Sequence, residues 1–215
     1  MKTIKSISLL LLLSFWAVGI QAQDVGPQVN ENYEKNWSFG AGFNVVDDSG
    51  LVIGGIADPS ENWNFSMPFY ISAEYYLNNQ FSFMAMISTN KYLEGKVYNK
   101  GYIVGGDANY FSFDVNAKFS FRDIMKSYQF DPYVFLGFGY NSIGEFTYVL
   151  KEFPYDSLEH PAAGNLTVNG GLGFNYWFSP TWGMNLNLAA KWDANRQDGW
   201  NNHKQYSIGA VYFLN

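Results

Sequence analysis

From Trp37 onward, apolar side chains return at nearly every second position, and this period limits what the chain can fold into. In the run 37–45, Trp37, Phe39, Ala41, Phe43 and Val45 fall on one face, and Ser38, Gly40, Gly42 and Asn44 on the other. Successive strand side chains point to opposite faces, so each such run is a strand with one large apolar face and one small polar face. The split recurs with Phe65, Met67, Phe69, Ile71, Ala73, Tyr75 and Leu77 against Ser66, Ser72, Glu74 and Tyr76. It recurs with Phe81, Phe83, Ala85 and Ile87 against Ser82, Met84, Met86 and Ser88, and with Phe111, Phe113, Val115, Ala117 and Phe119 against Ser112, Asp114, Asn116 and Lys118. A fifth run, about 132–141, is apolar on both faces; Val134, Leu136, Phe138 and Tyr140 are expected outward, with Gly137 and Gly139 inward. Leu166, Val168, Leu172, Phe174 and Tyr176 mark a sixth strand, Trp182, Met184, Leu186, Leu188, Ala190 and Trp192 a seventh, and Tyr206, Ile208, Ala210, Tyr212 and Leu214 the last.

The polar face separates a soluble sheet from a membrane one. A water-facing sheet surface carries many charges, but only 15% of this chain is charged, against about 25% in ordinary soluble domains. Here the polar face is mostly Ser, Asn and Gly, small residues suited to a narrow barrel interior where side chains from all strands meet. The large residues must then face outward, which is stable only in lipid. Each run approaches the 9–11 residues of a tilted membrane strand, and no helix-length apolar run follows residue 22. The expectation is an all-β fold: an eight-stranded antiparallel up-and-down transmembrane β-barrel.

The N-terminus has a different character. Lys2 and Lys5 precede an apolar stretch from Ile7 to Ile20, and Gly19, Gln21 and Ala22 read as a cleavage region. Residues 1–22 are therefore expected to be a cleaved secretory signal peptide, 23–36 a polar lead-in and 37–215 the barrel. With Lys2 and Lys5 removed, 11 basic residues face 19 acidic ones, a net charge of −8. A nucleic-acid partner is not expected for so acidic a chain. The chain has no cysteine, hence no lipid-modified cysteine, disulfide or thiolate metal site.

The connections alternate. The short ones are 78–80, 122–129 and 179–181; the long ones are 46–64, 91–109, 142–164 and 193–202. In an up-and-down barrel this places every short turn on one rim and every long loop on the other, as in outer-membrane barrels with short periplasmic turns. Tyr75, Tyr76, Phe81, Phe119, Phe121, Tyr176, Trp177, Phe178 and Trp182 flank the short turns. Trp63, Phe65, Tyr92, Tyr110, Trp192 and Trp200 flank the long loops. Two interfacial aromatic girdles are expected from these residues.

Several segments together resemble a known family. They are the opening strand 37–44 (WSFGAGFN), the segment 131–140 (DPYVFLGFGY), the glycine strand 169–174 (NGGLGF) and the aromatic-ended final strand 203–213 (HKQYSIGAVYF). The chain resembles the barrel of OmpA-like outer-membrane proteins over essentially all of its length after residue 22. The resemblance implies a bacterial outer-membrane location and recognition of the last strand by the barrel-assembly machinery during biogenesis. Many family members continue into a peptidoglycan-binding domain; here the sequence stops at Asn215, so a tethering role is not expected.

Four charges fall on the inward face: Glu74, Asp114, Lys118 and Lys191. Glu74 and Lys118 lie at similar height above short turns and are expected to pair, since a lone charge in a narrow interior costs several kcal/mol. This set is either a structural cluster filling the lumen or, less favoured, a gate. His160 and His203 are placed near the outer rim; His203 with Asp193 or Asp198 and a serine could mimic a catalytic set, but no spacing is diagnostic. Asp47-Asp48 and Glu159-His160 show no metal-ligand spacing, and Gly170-Gly171-Leu172-Gly173 sits in a strand with no helix behind it, so it is not a phosphate loop. No catalytic residue, metal or cofactor is assigned. The expected function is a structural outer-membrane barrel whose surface loops serve envelope integrity or contact with an envelope protein partner, with membrane lipids around it. The alternatives are a small channel or passage for a solute or lipid-like molecule, a rim enzyme acting on membrane lipids, and a subunit of an envelope secretion or assembly complex.

Overall fold

The structure, a computed structural model, describes residues 26–27, 36–49, 65–194 and 202–214. The segment 1–22, most of 23–36, and Trp63, Asp198 and Trp200 lie outside the described residues. In chain order the elements are β1 (Trp37–Asp47), β2 (Phe65–Tyr76), β3 (Phe81–Tyr92), β4 (Val97–Tyr98), β5 (Gly101–Gly105) and β6 (Ala108–Ser120). A short helix α1 (Arg122–Met125) leads to β7 (Phe130–Ile143), β8 (Phe146–Leu150), β9 (Phe153–His160), β10 (Ala163–Trp177), β11 (Trp182–Asp193) and β12 (His203–Phe213).

Eight strands close into an antiparallel barrel in the order β1-β12-β11-β10-β7-β6-β3-β2. Each barrel strand therefore neighbours the one before it in sequence, and β1 meets β12 to close the ring, from Ser38 opposite Phe213 to Asp47 opposite Lys204. The short turns are built by side chains. Asn78 Oδ1 accepts from the N–H of Gln80 (2.8 Å) and Phe81 (2.7 Å), and Ser179 Oγ accepts from the N–H of Trp182 (2.8 Å). Both are local side-chain turns that fold the backbone over without a long loop.

The faces follow the period of two. Phe43, Leu136 and Phe138 are 65–73% exposed on the outside, whereas Asn44, Asp114 and Lys191 are 0–2% exposed on the inside. In β7, Val134, Leu136, Phe138 and Tyr140 do face out; Tyr133 and Phe135 turn inward with the glycines. The outer wall is thus an apolar belt and the lumen is polar, the arrangement of a membrane-spanning barrel.

Two features depart from expectation. Four aromatics assigned to the girdles lie inside: Tyr76 and Trp177 cluster with Val211 and Phe213 at the short-turn end, and Tyr92 and Tyr110 belong to a cluster at the other end. The reason is parity. Tyr75, Tyr176 and Phe111 face out, so their immediate neighbours must face in. On the outside, Tyr75, Phe81, Phe119 and Trp182 of the expected girdles make ring contacts, Tyr75 with Trp37 (centroids 4.9 Å apart) and Trp182 with Tyr212 (4.8 Å), two aromatics not assigned to the girdles from sequence.

The second departure is a cap. The connections 91–109 and 142–164 carry β4, β5, β8 and β9, which form a four-stranded sheet in the order β4-β5-β8-β9. Tyr98, Ile103, Phe146 and Tyr148 of this sheet pack with Val46, Tyr92, Tyr110 and Ile143 of the barrel in one buried cluster. The cap therefore covers the long-loop end and shares its core with the barrel.

Candidate functional site

The lumen is the place where chemistry-bearing side chains converge, and among the described residues buried polar and charged side chains occupy it at successive levels. At the short-turn end, Arg122 follows β6 and reaches Asp131 at the start of β7, with Nη2 3.2 Å from Oδ2. Ser120 Oγ donates to Asp131 Oδ1, and Asn175 Nδ2 donates to Oδ2 at 3.2 Å. Arg122 Nη1 also donates to the carbonyl of Pro27 (3.2 Å), which ties a residue of the lead-in to this end of the barrel. The guanidinium stands 5.5 Å from the centroid of the Tyr76 ring.

One level higher, Lys118 Nζ lies 2.7 Å from Glu74 Oε2, and Ser82 Oγ donates to Oε1 at 2.5 Å. Lys118 also sits over the face of Tyr133, 3.7 Å from the ring centroid, an attraction that gains strength away from water. Tyr133 donates to Asn187 Oδ1 and accepts from Asn185 Nδ2 (2.7 Å), and Asn185 reaches Asn175 Oδ1 at 2.6 Å. This asparagine chain links the Glu74 level to the Asp131 level.

At mid-barrel, Lys191 on β11 reaches across to Asp114 on β6, with Nζ 2.6 Å from Oδ2. Asn169 Nδ2 donates to the other carboxylate oxygen, Oδ1, at 2.8 Å, and Ser112 Oγ donates to Oδ2 at 3.1 Å. Gly139 makes this possible: a Cβ there would sit 2.1 Å from Asp114 Oδ1. Above it, Gln205 Nε2 donates to Ser88 Oγ (2.7 Å), which shares a hydrogen bond with Ser112 Oγ (2.7 Å). Tyr110 and His203, on strands at opposite sides of the ring, meet at 2.8 Å between the hydroxyl and Nε2. Under the cap, Lys96 Nζ lies 3.0 Å from both Asp48 Oδ1 and the carbonyl of Val46.

All four inward charges expected from sequence therefore stand in the lumen, Glu74 with Lys118 and Asp114 with Lys191. Sequence reasoning missed the pairs Arg122–Asp131 and Lys96–Asp48. Asp131 carries the inward parity of Tyr133 and Phe135 and was legible on that ground; Arg122 and Lys96 lie in connections, where alternation gives no signal. His203 is not on an open rim but at the first position of β12, facing inward and 5% exposed. His160 stacks on Phe146 in the cap, centroids 4.7 Å apart. Asp47 and Asp48 are engaged by Lys204 (3.5 Å) and Lys96.

A cavity of about 20 Å³ lies among Met84, Asp114, Asn116, Phe135, Asn187 and Lys191. That is room for about one water molecule, and Asn116 Oδ1, which has no partner among the described residues, offers it an acceptor. Buried ion pairs closed by hydrogen bonds on both sides stiffen an interior, whereas a solute path needs open volume.

No protein-family model matches the sequence, and no curated protein matches it either. Solved structures do match. The outer membrane protein OprG from Pseudomonas aeruginosa aligns with a TM-score of 0.51 at 14% identity, over 87% of this chain and 97% of that one. Neisserial surface protein A aligns with a TM-score of 0.50 at 12% identity, over 83% of this chain and 96% of that one. At such identity the likeness establishes the fold alone, the closed eight-stranded antiparallel barrel of small outer-membrane proteins.

Proposed function

We propose that this small outer-membrane-type barrel is a resident of the bacterial outer membrane and a non-conducting structural protein. In this reading it is exported by a signal peptide cleaved after Ala22 and folded by the barrel-assembly machinery, and its capped outer face meets an envelope partner or the surroundings. The filled lumen carries the reading. Among the described residues, ion pairs at successive levels are bridged by Asn, Ser and Tyr around a mid-barrel cavity of about 20 Å³, and the cap packs over the long-loop end. An eight-stranded barrel has an interior that side chains can fill, and this sequence supplies them. No reaction is assigned, since the ring of His203 is held by Tyr110 inside the barrel.

Planar-bilayer recording on the refolded protein tests the reading. The expected result is a bilayer as silent as the detergent control, and unchanged by Glu74→Gln. Stable, reproducible conductance steps whose size shifts with Glu74→Gln would overturn it in favour of a gated passage.

A further inference from the structure

The outer wall is unevenly ridged. Residues paired across antiparallel strands share a face, so the register lays rows around the barrel. One row runs Phe39, Ala73, Ala85, Val115 across β1, β2, β3 and β6. The row above it, toward the cap, runs Ala41, Ile71, Ile87, Phe113, and the row below runs Trp37, Tyr75, Phe83, Ala117. Two alanines thus face each other in the middle of a wall of large side chains. The result is a trough of about 420 Å³ walled by Phe39, Ile71, Ile87 and Phe113, with Ala73 and Ala85 in its floor.

We propose that this trough is a binding site for one acyl chain of a phospholipid in the periplasmic leaflet. The inference rests on the membrane reading above and adds to it a particular site. The trough is continuous with the apolar belt, whose surroundings are acyl chains. Its depth in the membrane picks the leaflet. The floor row lies two residues above the Trp37–Tyr75 pair on the short-turn side, and the next row four residues above. At about 3.3 Å per residue these rows stand roughly 7 and 13 Å along the strands from that pair, within the nearer half of a hydrocarbon core about 30 Å thick. A methylene chain is narrow and flexible enough to lie on paired alanines between phenylalanine and isoleucine walls. Without an occupant, each wall residue loses dispersion contacts on one side.

The test is phospholipid retention. The full chain is purified from its native membrane in mild detergent, and bound phospholipid is counted by native mass spectrometry. Ala73→Phe and Ala85→Phe fill the floor, and Ala85→Leu fills it more gently. Ala190→Phe adds the same bulk to an outward position on β11, outside the trough. Wild type and Ala190→Phe should retain one phospholipid per barrel through detergent washing; the filled variants should lose it while keeping the heat-dependent gel shift of a folded barrel. Equal retention in the filled variants overturns the proposal, and so does a wild-type dimer that Ala85→Leu separates, which would make a second copy the occupant. Failure of the membrane reading looks different: a chain recovered without detergent, with no heat-dependent shift.

Discussion

Lys118→Met removes one partner of a buried pair and leaves the other in place. In the native barrel Lys118 is 3% exposed, 2.7 Å from Glu74 Oε2 and 3.7 Å from the centre of the Tyr133 ring. Methionine fills much of the same volume but leaves Glu74 with Ser82 as its hydrogen-bond donor among the contacts described. Breaking a buried pair on one side costs about 3–5 kcal/mol. For a midpoint slope of roughly 2 kcal/mol per molar urea, that lowers the unfolding midpoint by about 1.5–2.5 M. Replacing both charges, as Glu74→Met with Lys118→Met, removes the stranded carboxylate and should restore most of the loss, because apolar substitution of a whole buried pair is often neutral or better. The assay is reversible urea unfolding in lipid vesicles, with the folded fraction read from the gel shift. Two results would refute the reasoning: a single variant within about 1 kcal/mol of wild type, or a double variant as damaged as the sum of its parts.

Two further outcomes follow from the same geometry. Gly139→Ala should destabilise the barrel by about 1–3 kcal/mol in the same urea assay, because the new methyl group must displace the Asp114 carboxylate from its place beside Asn169 and Lys191. In the cap, burial pushes the Tyr98 hydroxyl well above the usual tyrosine range, with Asp48 adding in the same direction. A group whose folded pKa is raised adds stability that is complete below its unfolded value near 10 and is lost as pH climbs from there toward the folded value. Above pH 10 the cap should therefore loosen, seen as faster hydrogen exchange in β4, β5 and β8, and Tyr98→Phe should weaken that alkaline response. Ionisation of Tyr98 together with the exposed tyrosines, followed by difference absorbance, would contradict the burial argument.

Alternation made most of the wall legible in the sequence. It depends only on strand geometry, and one register error would turn every side chain to the wrong face, so it survives in all eight barrel strands. It placed Glu74, Asp114, Lys118 and Lys191 in the lumen, but left β7 ambiguous, because large residues occupy both of its faces; Gly137 and Gly139 lie inward, where a Cβ would meet Asn116 and Asp114. Counting aromatics near turns did worse. Tyr76, Tyr92, Tyr110 and Trp177 sit at the ends of strands as girdle residues do, but their parity turns them inward, and proximity in sequence says nothing about face. The cap left no pattern to read. β4 is two residues long, β5 begins and ends in glycine, and β9 contains Pro154, Asp156 and Glu159, so none shows the clean period of a half-buried strand.

The way the ring closes has a consequence for how the protein assembles. Gln205 and His203 of β12 are held by Ser88 on β3 and Tyr110 on β6, and Asp47 of β1 by Lys204 of β12. None of these contacts exists in an open sheet, where the last strand is still apart from the first. The contacts that cross the lumen or the β1–β12 seam form only at closure, whereas pairs on neighbouring strands, such as Asn175 with Asp131 and Ser88 with Ser112, can form in the open sheet. Completion of the interior is therefore coupled to joining residues about 160 positions apart in the chain, and a pause before the final strand docks should leave a sheet without the finished barrel's resistance to detergent.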